Sequence, residues 1–266
     1  MEEREGEFKP LFEYIQRISE RLDLDTYDYF DSGKSSVALL LLRLLDPLLT
    51  CEGELIIDDV SLLAVDRSTL RRRIIAVPQD ATFFPDGTTI RKNLDPFEET
   101  SEEECQEVLA LTGLWPFVSG RGGLEAALTA DALSHGQKQL FSLARAVLRR
   151  RIRAHLLNAE VGDAYLNSPS SAQPQHHGGV LILDEVNSSA DLETQKAIQK
   201  IILQEFEGYT VIMVSHMLGM MMDFDQVMIM EEGRLVEQGS PKELVSQEGS
   251  RFKELWTVGG KGETES

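Results

Sequence analysis

Val180-Leu181-Ile182-Leu183 is apolar at four consecutive positions and then turns acidic at Asp184-Glu185. A strand with one face in water alternates apolar and polar residues; a continuous apolar run must be covered on both faces. Thr210 to Val214 is a second apolar strand, and Asp191 to Phe206 between the two has helical spacing. Apolar strands alternating with helices predict a mostly parallel sheet flanked by helices, an α/β fold. In open sheets of this kind ligands bind beyond the C-terminal strand ends, which is where Asp184 and Glu185 emerge.

Other elements read from the same patterns. Lys34 to Leu45 is a nearly all-apolar buried helix, ended by Asp46-Pro47. Glu54 to Asp58 and Ile74 to Pro78 are short strands. Ser101 to Leu111 is a helix opened by a capping box of Ser101 with Glu104, and Gln137 to Arg150 is a second amphipathic helix. After Val214 come a short Met-rich helix and a strand from Gln226 to Glu231. Ser240-Pro241-Lys242-Glu243 opens the last helix, with a cap, a proline in the first turn and a glutamate at the third position. One domain over residues 28–257 accounts for these elements. It is interrupted by a polar stretch, residues 159–179, expected to be a disordered insertion, and followed by a flexible tail, 258–266. Residues 1–27 form a charged segment in which Leu11, Tyr14, Ile15, Ile18 and Leu22 recur at helical spacing.

Formal charge is −19, from 26 basic and 45 acidic residues, which argues against nucleic acid as a partner. A local nest of backbone amides can still hold one nucleotide against that field. The two cysteines, Cys51 and Cys105, are far apart and read as reduced thiols of a cytosolic chain. Val37 to Leu49, the most apolar run, is interrupted by Arg43 and Asp46 and is too short to span a bilayer.

Three motifs carry chemistry. Ser32-Gly33-Lys34-Ser35-Ser36 runs into the buried helix as the end of a phosphate loop. Gly33 lets backbone approach phosphate, the helix N-terminus directs amides at it, Lys34 reaches the outer phosphates, and the Ser35 hydroxyl suits Mg²⁺. Gly-Lys-Ser alone is common by chance. Asp184 at the strand end would hold Mg²⁺ through water and Glu185 would act as general base, although the same residues also suit a solvated acidic turn. Leu133-Ser134-His135-Gly136-Gln137, leading into a helix, forms another anion site and is far more specific. Between the first and this motif, Val77-Pro78-Gln79-Asp80 places a glutamine to reach Mg²⁺. Beyond Glu185 come Ser188-Ser189-Ala190-Asp191 and then His216 at the end of the second apolar strand.

In this order the motifs resemble the ATP-binding cassette of ABC transporters, over about residues 32–256. Arg91-Lys92-Asn93-Leu94-Asp95-Pro96-Phe97 and the acidic strand followed by Ser-Ser-Ala-Asp are similar to the second nucleotide-binding domain of the C subfamily, the multidrug-resistance-associated type. The insertion before Val180 looks fungal. The resemblance implies a P-loop NTPase fold of the ABC type with a helical subdomain. It implies ATP and Mg²⁺ as cofactors, with Ser32, Gly33, Lys34, Ser35, Ser36, Gln79, Asp184, Glu185 and the switch histidine His216 serving one nucleotide. Ser134, Gly136 and Gln137 would reach a nucleotide held by a second cassette packed head to tail. Membrane domains of an exporter, meeting the region after Gln79, would place the chain on the cytoplasmic face of a membrane.

The resemblance fails before Ser32. Asp28 and Asp31 replace glycines, and the lead-in strands and adenine-stacking aromatic of the family are missing. A carboxylate about 5 Å from a phosphate charge costs roughly 3 kcal/mol at an effective dielectric of about 20. Two functional readings follow: an ATP-hydrolysing cassette powering export, or a degenerate, non-catalytic cassette acting as an interaction module. The abrupt loss of resemblance also fits a fragment of a longer transporter.

Overall fold

The computed structural model describes residues 34–45, 56–57, 60–165, 178–186, 192–215, 218–231 and 233–259. The expected N-terminal helix, the aspartates at 28 and 31, Cys51, Ser188 to Asp191, His216 and the tail from 260 lie outside them. The chain divides into two compact units, one of residues 72–213 and one of residues 1–71 with 214–266.

The 72–213 unit is built on a sheet of order β3-β4-β5, with β3 Ile74–Val77, β4 Val180–Asp184 and β5 Thr210–Val214. β3 and β4 are parallel, Val77 opposite Leu183. Val180 to Leu183 are all buried, as a strand covered on both faces requires. The helices of this unit are α3 Ile90–Leu94, α4 Glu102–Leu111, α5 Trp115–Ser119, α6 His135–Tyr165 and α7 Leu192–Glu205. α6 is the spine. It packs on β3, α3, α4 and α7, and its Phe141, Leu143, Val147 and Leu148 join one core with Ile90, Leu109, Leu181 and Ile198.

The Ser101 capping box forms as expected, Oγ accepting from the Glu104 amide at 3.2 Å while the Ser101 amide donates to the Glu104 carboxylate at 3.3 Å. α6 is longer than its expected span, and its last seven residues lie in the stretch expected to be disordered. Long-range polar contacts extend it. Arg151 pairs with Glu107 of α4 at 3.3 Å and Glu205 of α7 at 3.0 Å, and Arg153 donates to the Gly178 carbonyl at 2.6 Å.

In the other unit, α1 Lys34–Leu41 stops four residues before its expected end. The Arg43 amide bonds the Leu40 carbonyl and the Leu44 amide bonds that of Leu39, a Schellman closure with Arg43 at φ 51° where glycine is usual. The Arg43 guanidinium holds that turn by donating to the carbonyls of Leu62 and Val65, at 3.1 and 2.6 Å. Strands β1 Ile56–Ile57 and β2 Val60–Ser61 pair antiparallel. Next comes α2 Arg67–Arg73, whose first turn donates the Ser68 and Thr69 amides to Asp66, at 2.9 and 3.2 Å. At the C-terminal end, short α8 Leu218–Met221 precedes a hairpin of β6 Val227–Glu231 and β7 Arg234–Gly239. Pro241 opens α9 Pro241–Ser246, but the Ser240 side chain makes no cap bond, and this helix is not the last. α10 Arg251–Gly259 follows, its first amides taken by Glu237, and Phe252 packs with Val227 and Leu244.

Candidate functional site

The parallel register of β3 and β4 decides what meets at the C-terminal sheet edge. With Val77 opposite Leu183, the residues that leave the two strands, Pro78-Gln79 and Asp184-Glu185, emerge side by side. Gln79 Nε2 donates to Glu185 Oε2 at 2.8 Å, a contact between residues 106 apart in sequence. Glu185 has φ 49°, between the strand end and buried Val186. A left-handed glutamate costs on the order of 1 kcal/mol or more, and such strain is retained where a side chain must be aimed. The turn directs the Glu185 carboxylate to Gln79 while Asp184 stays half-buried on the strand.

The second cluster is the start of α6. Ser134 caps it reciprocally, its amide donating to Gln137 Oε1 at 2.9 Å and the Gln137 amide donating to Ser134 Oγ at 3.2 Å. The Gln137 carboxamide is thereby engaged within the turn. The amides of His135 and Gly136 in the same turn have no partner among the described residues. Two unpaired amides on the exposed end of a 31-residue helix suit an anion. A Cβ on Gly136 would come no nearer than 3.7 Å to Thr194, an ordinary contact, and its φ is not left-handed. Glycine at 136 is therefore not demanded from inside the unit; it leaves the backbone open to something outside.

In the other unit, Lys34 and Ser35 stand half-exposed in the first turn of α1, whereas Ser36 is buried at 2% exposure. Ser32, Gly33 and His216 lie outside the described residues. The sequence-predicted residues are thus grouped as Gln79 with Asp184 and Glu185, as Ser134 with Gly136 and Gln137, and as Lys34 with Ser35 and Ser36.

Gln79 and Asp184 offer hard oxygens, the ligands Mg²⁺ prefers, and in the other unit the Ser35 hydroxyl is of the same kind. Among the described residues no three His, Cys, Asp or Glu side chains form a metal cage. Sequence reasoning missed Arg145. Its signal was a lone arginine in a run of apolar residues, Phe141 to Leu148, most of which prove buried.

The ABC transporter family matches residues 31–152. The chain is 51% identical over 232 residues to the ABC-type transporter braE of Annulohypoxylon truncatum, matching 86% of this chain and 15% of that one. It is 50% identical over 228 residues to the ABC transporter FGM5 of Gibberella zeae, covering 85% of this chain and 14% of the relative. At 37% over 224 residues it is similar to the rat ATP-binding cassette sub-family C member 2, covering 83% of this chain and 12% of the relative. The chain therefore spans only about 15% of the length of the first of these relatives. Among solved structures, a bacterial Atm1-family ABC exporter with ATP bound superposes with a TM-score of 0.67 at 26% identity, over 85% of this chain and 35% of that one. The fold is that of an ABC-type P-loop NTPase, and the chain is an ABC transporter ATP-binding cassette.

Proposed function

We propose that this cassette binds and hydrolyses ATP with Mg²⁺ to power export by a fungal transporter of the C subfamily, in which it is the second nucleotide-binding domain. The observation that carries the reading is the Gln79–Glu185 contact at the C-terminal edge of β3 and β4. Glu185 is the general base: its carboxylate orients a water and accepts its proton as the water attacks the terminal phosphorus, and the bond from that phosphorus to the bridging oxygen breaks to release ADP and phosphate. Gln79 sits on that carboxylate and senses whether it is engaged. By the family resemblance Lys34 would balance charge on the outer phosphates, and Ser35 and Asp184 would serve as metal ligands, directly or through water. Mg²⁺, when bound, would supply charge neutralisation on the phosphates. By the same resemblance His216, which lies outside the described residues, would serve the terminal phosphate.

Ser134 and Gly136 face the nucleotide of a second cassette packed head to tail. The unpaired amides of His135 and Gly136 and the absence of any internal demand for glycine support this. Phe84 and Phe97, 45% and 72% exposed, flank α3 on the segment after Gln79, where membrane domains on the cytoplasmic side would dock. No described helix is long and apolar enough to cross a membrane.

A second reading rests on Asp28 and Asp31, whose charge opposes phosphate binding: a cassette that offers Ser134 to Gln137 to a partner without turning over nucleotide itself. Phosphate release by the purified chain separates the two. Turnover lost in Glu185→Gln with nucleotide binding kept supports the enzyme. Turnover unchanged in that variant removes Glu185 as base, and its absence in the wild-type chain supports the interaction module.

A further inference from the structure

Arg145 lies on α6 within the core-facing stretch, yet no carboxylate pairs with it among the described residues. Its guanidinium is spent on backbone instead. Nε donates to the Asn93 carbonyl at 2.6 Å, Nη1 to the Thr82 carbonyl, and Nη2 reaches Asn93 Oδ1 at 3.5 Å. The group sits 5.0 Å from the centroids of both Phe83 and Phe141, whose rings are themselves 5.4 Å apart. Burial pulls its pKa down to about 10, so it remains charged at neutral pH.

Asn93 extends the contact. It is buried at 1% exposure, its Oδ1 accepts from the Phe84 amide at 2.9 Å, and its Nδ2 donates to the Thr89 carbonyl at 3.1 Å. One cation therefore gathers the loop at Thr82 to Phe84 and the helix α3 onto the middle of α6. That loop begins three residues after Gln79, and α6 begins at the Ser134 cap. Arg145 is half-buried, and a cation drawn out of water with no carboxylate partner among the described residues costs stability relative to an apolar side chain of similar size. If packing were the only requirement, methionine or leucine would serve better at 145. An arginine is required only if several carbonyls must be held at once, which its fork can do and a point-charge lysine cannot.

We propose that Arg145 is a positioning residue that makes the Thr82–Asn93 segment and α6 move as one body, so that load on exposed Phe84 reaches Ser134 and Gly136. Its catalytic consequence rests on the ATPase reading above; the mechanical coupling does not.

Hydrogen exchange on the purified 266-residue chain tests the coupling without nucleotide. In Arg145→Lys, the amides of Phe84, Ile90, Arg91 and Asn93 should exchange at least about tenfold faster, while those of β4 keep their wild-type rates. Arg145→Met, which keeps volume and removes charge, should do the same; if it fails to fold, Arg145→Lys alone decides. Unchanged exchange over 82–93 in Arg145→Lys overturns the proposal, because a point charge then suffices. Acceleration spread evenly over α6, α7 and β4 overturns it too, because Arg145 then serves only general stability. With ATP, Arg145→Lys should lower kcat about tenfold at unchanged KM, since Lys34 and Ser35 are untouched. Equal kcat in the two proteins counts against the proposal. A wild-type chain without turnover would sink the ATPase reading alone, and exchange would still decide on Arg145.

Discussion

Gly136→Ala should stabilise the fold while disabling the site. The added Cβ would lie 3.7 Å from Thr194 Cγ2 and 3.8 Å from its Oγ1, so nothing has to move. Gly136 is the second residue of α6 and its φ is not among the positive values, so alanine meets no backbone strain. In a helix interior alanine is favoured over glycine by about 0.8–1 kcal/mol, and near the first turn about 0.5–1 is a fair share. For a chain of this size about 1 kcal/mol moves the thermal midpoint by roughly 2–4 °C. The expected result is a midpoint raised by about 2 °C together with a higher urea midpoint at unchanged m-value. Turnover, if the proposed cross-cassette approach takes place, falls by on the order of tenfold or more, because a methyl group now separates a phosphate from the amides it would reach. Stability and turnover are measured on the same preparations. A lowered midpoint would refute the claim that the fold makes no demand for glycine here. A raised midpoint with undiminished turnover would refute the outward-facing role.

Two further perturbations test the frame around the site. Gly179→Ala should destabilise the chain by about 2–3 kcal/mol, the usual range for overpacking, because its Cβ would lie 2.2 Å from Arg153 Nη1 and 2.6 Å from Tyr209 Cε1. The same change made in Arg153→Ala should cost less in urea denaturation, and equal costs in both backgrounds would show that Arg153 is not what crowds it. Asp66 has its carboxyl held below the ordinary carboxylate range, first by the Ser68 hydroxyl and then by the Thr69 amide. A depressed carboxyl stabilises the fold above its unfolded pKa, and that stabilisation disappears as pH falls through the folded value. Amide exchange at Ser68 and Thr69 should therefore gain protection from acid pH to neutrality beyond the intrinsic pH dependence, and Asp66→Asn should remove the gain.

What was legible in the sequence was contiguous. β4 was readable because the four residues Val180 to Leu183, covered on both faces, are all apolar, β5 from its apolar run although only Val214 is buried, and the Ser101 box because both partners lie within one turn. What escaped was fixed by residues far apart. α6 runs to Tyr165 where Arg151 bridges Glu107 and Glu205, and α1 stops at Leu41 where Arg43 meets the carbonyls of Leu62 and Val65. The candidate site divides in the same way. Gln79 and Glu185 could each be placed near the end of a strand, because Val77-Pro78 and Leu183-Asp184 mark where the apolar runs stop. Nothing in either segment states that the strands are neighbours, nor that Val77 lies opposite Leu183. Yet the site depends on that pairing. A slip of one residue between parallel strands displaces their ends by about 3.3 Å. Added to the 2.8 Å contact of Gln79 with Glu185, it would put the pair beyond hydrogen-bonding distance. A slip by one also reverses which side chains face each side of the sheet, and β4 is apolar from Val180 to Leu183, so that stretch offers little resistance to it. The register must then be imposed from outside the strand. Arg153 does this by holding the carbonyls of Arg73 and Gly178, the residues just before β3 and two before β4, from one guanidinium. The register that brings Gln79 to Glu185 is thus braced at the opposite end of the two strands, by an arginine that carries no motif.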